Sequence, residues 1–423
     1  MGKYQLYCPY CKKYLEEYYT LDCLNHSVLI RTVYTEKKFN VQNLKGIWKF
    51  TNWLPIQTPL QIDSGPITYK SKELAQELGL ESLYVNFNGY WPEKGANVKT
   101  CTFKEYEALV TFPRVIETGH KGIYLASAGN TARSFAYISQ LTQIPVVLFV
   151  PEENFETFWV PAANEESIKL ITLKEGNDYT EACRLNTRVM GALSTDSGFV
   201  PEGGAKNVAR RDGMATVLYD CVRVLKKMPK YYFQAIGSGT GGISVWEAAL
   251  RLRADGRFGT YLPQLHLSQN LPYAPIVNAW GLKSRELIPH RDMPDAQNSI
   301  KQVKAKMLTN RAPPYDIPGG IFDALSDTNG RMYGITNDEL VIAAKLFKET
   351  EGVDIVPEAA VALASLQKAI ENKIISGKDP VLINITGGGI ERLKEDQELY
   401  SVTPVLTVDN ADVPLDEIKE ILT

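Results

Sequence analysis

The chain lacks what a nucleic-acid or membrane partner would require. Its 46 Lys and Arg are outnumbered by 49 Asp and Glu, a net charge of −3. Nothing therefore attracts polyanions or acidic membranes in general, and any anionic ligand has to be held by a local site. There is no run of about 18 apolar residues to span a bilayer. Residues 1 to 20 carry Lys3, Lys12, Lys13, Glu16 and Glu17 where a secretory signal would have its apolar core. Cysteine is sparse. Three of the six crowd into the first 23 residues and the others are scattered, which is no disulfide framework and fits a cytoplasmic protein. What remains is an ordinary globular composition, 423 residues with 44% hydrophobic and 22% charged, enough for two or three domains of about 100–200 residues.

One stretch organises the rest. In Gly95-Ala-Asn-Val-Lys-Thr-Cys-Thr-Phe-Lys104-Glu-Tyr-Glu-Ala108 a loop of small and hydroxylated residues, Thr100 and Thr102 among them, delivers a single lysine to a first helical turn. The positive end of a helix dipole disfavours an ammonium, so Lys104 is placed to supply the neutral amine that Schiff-base chemistry needs. A solvated surface lysine is the bland alternative. Upstream, Cys8-Pro-Tyr-Cys11 and Cys23-Leu-Asn-His26 offer two pairs at the spacing tetrahedral zinc accepts, a Cys3His knuckle with no open position and hence a structural role. A vestigial knuckle with reduced thiols is the other reading.

Downstream, strands and helices alternate, which predicts an α/β protein with a parallel sheet. Helices are expected over 71–80, from Glu105 onward, and over 131–141, 179–193, 243–252, 337–350 (capped at Asn337) and 359–370. Another opens near Pro201 to Gly213 and runs to about Lys226. Strands are expected over 83–87, 122–127, 146–150, 168–173, 231–236, 264–268 and 380–385. Four turns stand out. Ser127-Ala128-Gly129-Asn130 joins a strand to a helix, where free backbone N–H groups suit a carboxylate and Asn130 can offer an amide donor or merely cap the helix. The segment with Lys206, Arg210 and Arg211 can grip a tetrahedral oxyanion or form a solvated basic face. Gly237-Ser-Gly239-Thr-Gly241-Gly242 is a phosphate cradle at a helix start. It also matches GxGxxG, but the next strand ends in Ser268, Gln269 and Asn270. A dinucleotide fold needs an acid there, so a single phosphate is favoured over a dinucleotide. Finally Thr386-Gly387-Gly388-Gly389 ends a strand with a hydroxyl, and Thr386, Gly237 and Asn130 are expected to meet in one crevice at the carboxyl ends of strands. Thr386 as a simple helix cap is the alternative.

The loop of Lys104, the turn Ser127 to Thr131, the glycine loop over 237–242 and Thr386-Gly387-Gly388 together resemble the four cofactor motifs of fold-type II pyridoxal-phosphate enzymes, and within them the threonine synthase branch, which commonly carries a zinc-ribbon-like N-terminal arm. The resemblance covers nearly the whole chain. It implies a tryptophan-synthase-β-like fold: an arm over residues 1–45, a large cofactor domain over 46–105 and 216–423, and a small domain over 106–215. It also implies that Lys104 carries pyridoxal 5'-phosphate, that Asn130 bonds its phenolic oxygen, that Gly237, Ser238, Gly239, Thr240 and Gly241 hold its phosphate, and that Thr386 meets its ring nitrogen. Substrate contacts fall to Thr102, Ser127, Ala128, Gly129 and Thr131, with Lys206, Arg210 and Arg211 as candidates for a leaving phosphate. Phe87-Asn-Gly-Tyr-Trp-Pro92, Thr100 to Glu105 and Phe199 to Gly204 are similar to the subfamily that exchanges the phosphate of O-phospho-L-serine for sulfite. Threonine synthases usually continue after the lysine with Asp-Arg, where this chain has Glu105-Tyr106. γ-Replacement on O-phosphohomoserine, or another β-replacement on O-phosphoserine, is the alternative. A binding protein that has kept the fold without catalysis is disfavoured by the intact motifs. The expected partners are small molecules, with no nucleic acid or membrane, in a homodimer.

Overall fold

The computed structural model describes residues 2–127, 129–192 and 197–422. Six strands form the larger sheet, in the order Arg331–Ile335, Gln264–Asn270, Tyr231–Ala235, Val381–Ile385, Leu83–Phe87 and Ile67–Lys70. All neighbours are parallel except the last pair, in which Ile67–Lys70 runs antiparallel as an edge strand. Every residue of Tyr231–Ala235 and Val381–Ile385 is buried, as expected of parallel strands covered on both faces. Side-chain alternation divides the core accordingly. Tyr232 and Leu382 pack with the helices Val208–Leu225 and Thr240–Asp255, whereas Phe233 and Ile383 pack with the helix Pro357–Glu371.

The smaller sheet is wholly parallel, in the order Phe199–Pro201, Gly122–Ala126, Val146–Pro151, Ile168–Leu173 and Leu406–Val408. Its last strand corrects the expected domain division. The C-terminal stretch belongs to the small sheet and not the large one: Leu406–Val408 covers the edge of Ile168–Leu173, and Tyr400–Ser401 pairs with Trp159–Val160. An uncovered edge strand exposes unpaired backbone groups, and the returning chain satisfies them. Two element boundaries also move. The helix expected over 71–80 is only Glu73–Glu77, and the helix expected to be capped at Asn337 is capped one residue earlier, by a Thr336–Glu339 capping box. Among the described residues no helix is long and apolar enough to cross a membrane.

The arm is a three-stranded antiparallel sheet, Lys13–Leu15, Tyr4–Cys8 and Arg31–Tyr34. Buried polar contacts fix it to the body. Thr32 and Tyr34 donate hydroxyl hydrogen bonds to Asp212 at 2.5 and 2.6 Å, and Arg251 pairs with the same carboxylate at 2.6 Å. Arg114, fully buried, reaches Glu17 of the arm at 3.0 Å.

Candidate active site

Lys104 is the first residue of the helix Lys104–Glu117, and its entry loop is stitched to the loop after Val381–Ile385. Phe103 N–H donates to the Thr386 carbonyl at 2.9 Å, and Gly388 N–H donates to the Cys101 carbonyl at 3.1 Å. Only glycine fits at 387, since a Cβ would lie 2.5 Å from the Cys101 carbonyl oxygen. The lysine and Thr386 are thereby brought to one cavity wall. Burial lowers the pKa of the Lys104 amine, and the Arg210 guanidinium lowers it further, against the opposing effect of Glu107. Burial, not the helix dipole alone, thus favours the neutral amine.

Across the cavity, Tyr231–Ala235 runs into the glycine loop and the helix Thr240–Asp255. Gly239 sits at φ +85°, and a Cβ there would lie 2.3 Å from Ile321. Gly237 backs onto Met307 and Leu308. Their small size leaves the backbone and the hydroxyls of Ser238 and Thr240, 2.9 Å apart, at the start of a helix, where the dipole and free N–H groups attract a phosphate. The third side is the turn before the helix Asn130–Thr142, where Ser127 Oγ accepts from the N–H groups of Gly129 and Ala132 at 3.2 and 3.0 Å. Asn130 Oδ1 accepts from Arg133 at 2.8 Å, so its amide donors are left for a ligand. The Thr386 hydroxyl makes no hydrogen bond to a described residue. It caps no helix either, since Gly389 holds that position for Ile390–Asp396. The free space between these walls, with the open solvent at the mouth included, is about 870 Å³.

An amine, a glycine cradle at a helix N-terminus, an amide donor and an unpartnered hydroxyl therefore face one cavity, and this donor set fits pyridoxal phosphate. Residues 57–387 match the family described as pyridoxal-phosphate dependent enzyme. A cysteate synthase of Methanosarcina barkeri is 51% identical over 419 residues, 99% of this chain and 100% of the relative. A cysteate synthase of Methanocella arvoryzae is 51% identical over 423 residues, all of both chains. This chain belongs to the cysteate synthase family of pyridoxal-phosphate-dependent enzymes. Solved structures agree on the fold. Maize serine racemase superposes with a TM-score of 0.55 at 15% identity over 78% of this chain and 91% of its own, and threonine deaminase isoform 2 of Solanum lycopersicum with 0.54 at 16% over 78% and 87%.

In this member of the cysteate synthase family the cavity gathers Lys104, Thr102, Ser127, Gly129, Asn130, Thr131, Arg210, the glycine loop and Thr386. Ala128 lies outside the described residues. Arg211 is a correction: one residue along the helix from Arg210, it turns away from the cavity and is buried against Glu247 at 3.0 Å and the carbonyls of Ala205 and Ile30. Lys206 stands at a second, adjoining cavity, half-exposed and paired with Asp22 of the arm at 2.8 Å. The acid sought beyond the glycine loop is indeed missing. Gln269 instead accepts from Ile276 and Val277 N–H, and Asn270 accepts from Lys304 and Ala305 N–H. Asn270 thereby anchors the two residues that lead into the segment Lys306 to Asn310, which closes the fourth side of the cavity and carries no motif of its own. Sequence reading also missed Glu358, whose carboxylate takes the Met307 N–H at 3.2 Å, and Tyr179, Glu107 and Glu202 around Arg210. Three residues after the lysine is an ordinary helical position, and nothing in its spacing marks Glu107.

Away from this site, the ligating atoms of Cys8, Cys11, Cys23 and His26 all lie within 4.8 Å of one another. Cys11 Sγ and Cys23 Sγ are 3.8 Å apart, and Cys23 Sγ and His26 Nδ1 3.7 Å.

Proposed function

We propose that the chain replaces the phosphate of O-phospho-L-serine with sulfite, giving L-cysteate and inorganic phosphate. The observation that carries this reading is the meeting of the Lys104 amine, the glycine cradle and the lone Thr386 hydroxyl in one cavity of a chain 51% identical to cysteate synthases. When bound, pyridoxal phosphate supplies an electron sink for the α-carbon of an amino acid. The N–H groups and hydroxyls of Gly237 to Gly241 would hold its phosphate, Asn130 its phenolic oxygen and Lys104 its reactive carbon. Thr386 would meet its ring nitrogen. A hydroxyl there would not keep that nitrogen protonated as a carboxylate would, so the group would favour loss of the β-substituent over return of a proton to the α-carbon. The turn of Ser127, Gly129 and Thr131 binds the substrate carboxylate. The Lys104 amine, once free, would act as the base that removes the substrate's α-proton. Arg210 at the cavity wall, with Lys206 at the outer cavity, meets the two anions, one leaving and one arriving. Purified protein mixed with pyridoxal phosphate, O-phosphoserine and sulfite is expected to yield cysteate and phosphate in equal amounts by mass spectrometry. Threonine from O-phosphohomoserine in a parallel tube, with no cysteate in the first, sinks the proposal.

The arm holds a structural zinc ion in the same reading. With Zn–S bonds of about 2.3 Å, a tetrahedron has edges of about 3.8 Å. The spacing of Cys11 and Cys23 matches this edge. Four protein ligands leave no open coordination position, so the ion braces the arm. Metal analysis of the purified protein is expected to find one zinc per chain, and a chain free of metal with an intact arm refutes the assignment.

A further inference from the structure

Glu107 has no task in the chemistry so far, yet it is completely buried beside the reactive amine. Lys104 Nζ donates to Glu107 Oε1 at 2.7 Å, Arg210 Nε lies 3.2 Å from Glu107 Oε2, and Arg210 Nη1 donates to Glu202 Oε2 at 2.8 Å. We infer that Glu107 is a positioning residue for the Lys104 amine, holding it in the cavity and stabilising its protonated form, while Arg210 fixes Glu107 and limits its strength and Glu202 in turn holds Arg210. The inference rests on the reading of Lys104 as the amine that carries the cofactor and takes the α-proton.

The charge count argues for it. Counted in their ionised states, Glu107 and Glu202 contribute two negative charges and Arg210 one positive, so the cluster beside a neutral lysine carries one net negative charge. When the C–H bond of the substrate breaks, its electron pair stays with the α-carbon and the proton forms a new N–H bond on Lys104. The cluster then becomes neutral. Burial alone would oppose an ammonium there, and a carboxylate at hydrogen-bond distance offsets that cost. Arg210 acts in the other direction and keeps the amine from retaining its proton. The other titratable groups that face the cluster are Tyr19 of the arm, whose hydroxyl donates to the Glu202 carbonyl at 3.4 Å and is kept neutral by burial, and two residues of the helix Tyr179–Ala192. Burial pushes the Tyr179 hydroxyl well above its ordinary value, and burial raises the Cys183 thiol as well, so both stay neutral.

The test reads the amine directly. Full-length protein is freed of cofactor and remixed with pyridoxal phosphate, and the rate at which imine absorbance appears is followed against pH. The inflection of that profile reports the protonation of Lys104. Opposite charges this close shift a pKa by about one unit or more. Glu107→Gln is therefore expected to move the inflection down by about one pH unit, and Arg210→Gln to move it up by a similar amount. Opposite directions are a signature that loosened packing would not give. Should Glu107→Gln fail to fold, Glu202→Gln replaces it, with a smaller downward shift expected. An inflection that stays in place, or moves the same way in the carboxylate and arginine variants, overturns the inference. Absence of imine in the wild-type protein, or its persistence in Lys104→Ala, overturns the reading beneath it instead.

Discussion

Replacing Gly239 with alanine tests whether the glycine loop is shaped as described. Two penalties fall on the same Cβ. The residue has φ +85°, a left-handed conformation that costs an L-residue about 1–2 kcal/mol. The added carbon would also stand 2.3 Å from Ile321 Cγ1 and 2.6 Å from its Cδ1, and forcing an extra carbon into a packed site costs about 1–3 kcal/mol. Together, Gly239→Ala is expected to destabilise the protein by about 2–5 kcal/mol. Gly256 separates the two penalties. It ends the same helix at φ +83°, and a Cβ there meets nothing within 4 Å. Gly256→Ala should therefore show the backbone cost alone, about 1–2 kcal/mol. The assay is a denaturant titration followed by fluorescence, paired with a titration of pyridoxal phosphate by absorbance. Gly239→Ala should weaken cofactor binding by displacing the cradle, Gly256→Ala should not, and trimming Ile321 to alanine in the Gly239→Ala background should restore part of the binding. Equal losses of stability in the two glycine variants, with unchanged cofactor affinity in both, refute the reasoning.

Other expectations follow from single contacts. If Thr386 meets the ring nitrogen as proposed, Thr386→Asp would put a carboxylate there and is expected to raise α-proton exchange with deuterated solvent relative to phosphate release, as measured by NMR on O-phosphoserine. Arg211→Met removes one of the two arginines paired with the buried Glu247, leaving Arg31 at 3.6 Å, and the lost charge-assisted hydrogen bonds are expected to cost about 1.5–3 kcal/mol of stability. It should leave KM for O-phosphoserine close to the wild-type value, because Arg211 lies off the cavity. His266, buried between Tyr333 and Gln264, has its pKa lowered to about 3 by burial and by Arg331. Below the unfolded value of about 6.5 the unfolded chain binds a proton that the native chain refuses. Stability should therefore fall as pH drops from 6.5 toward 3, by at most about 1.4 kcal/mol per pH unit. Denaturant midpoints measured at intervals across that range should be less pH-dependent in His266→Gln.

What could be read ahead was backbone chemistry. Glycines that only a close approach permits, a hydroxyl after an apolar strand, and an Asn after small residues are local signals, and each sits in the cavity where the alternation of strands and helices places it. The two parallel sheets follow from the same alternation. Leu406–Val408 could not be read in this way, because a three-residue strand beyond Pro404 has no period to detect and its partner, Ile168–Leu173, lies more than 200 residues earlier. Nor could the wall from Lys306 to Asn310, which is held by Glu358 and, through the two residues that lead into it, by Asn270, and not by any pattern of its own.

The charged side chains divide on the same principle. Arg210 and Arg211 are neighbours in sequence, yet a helix turns successive residues by about 100°. Arg210 consequently meets Glu107 and Glu202 at the cavity, and Arg211 meets Glu247 beneath the arm. Composition ranks the two alike as anion binders, and only the rotation of the helix Val208–Leu225 about its axis separates them. That rotation is set by apolar packing, which places Gly213 so close to the lysine helix that a Cβ would lie 2.2 Å from the Tyr106 carbonyl. The contact that brings Arg210 to Lys104 thus depends on a glycine three residues away, which reads in the sequence only as a weak point in a helix.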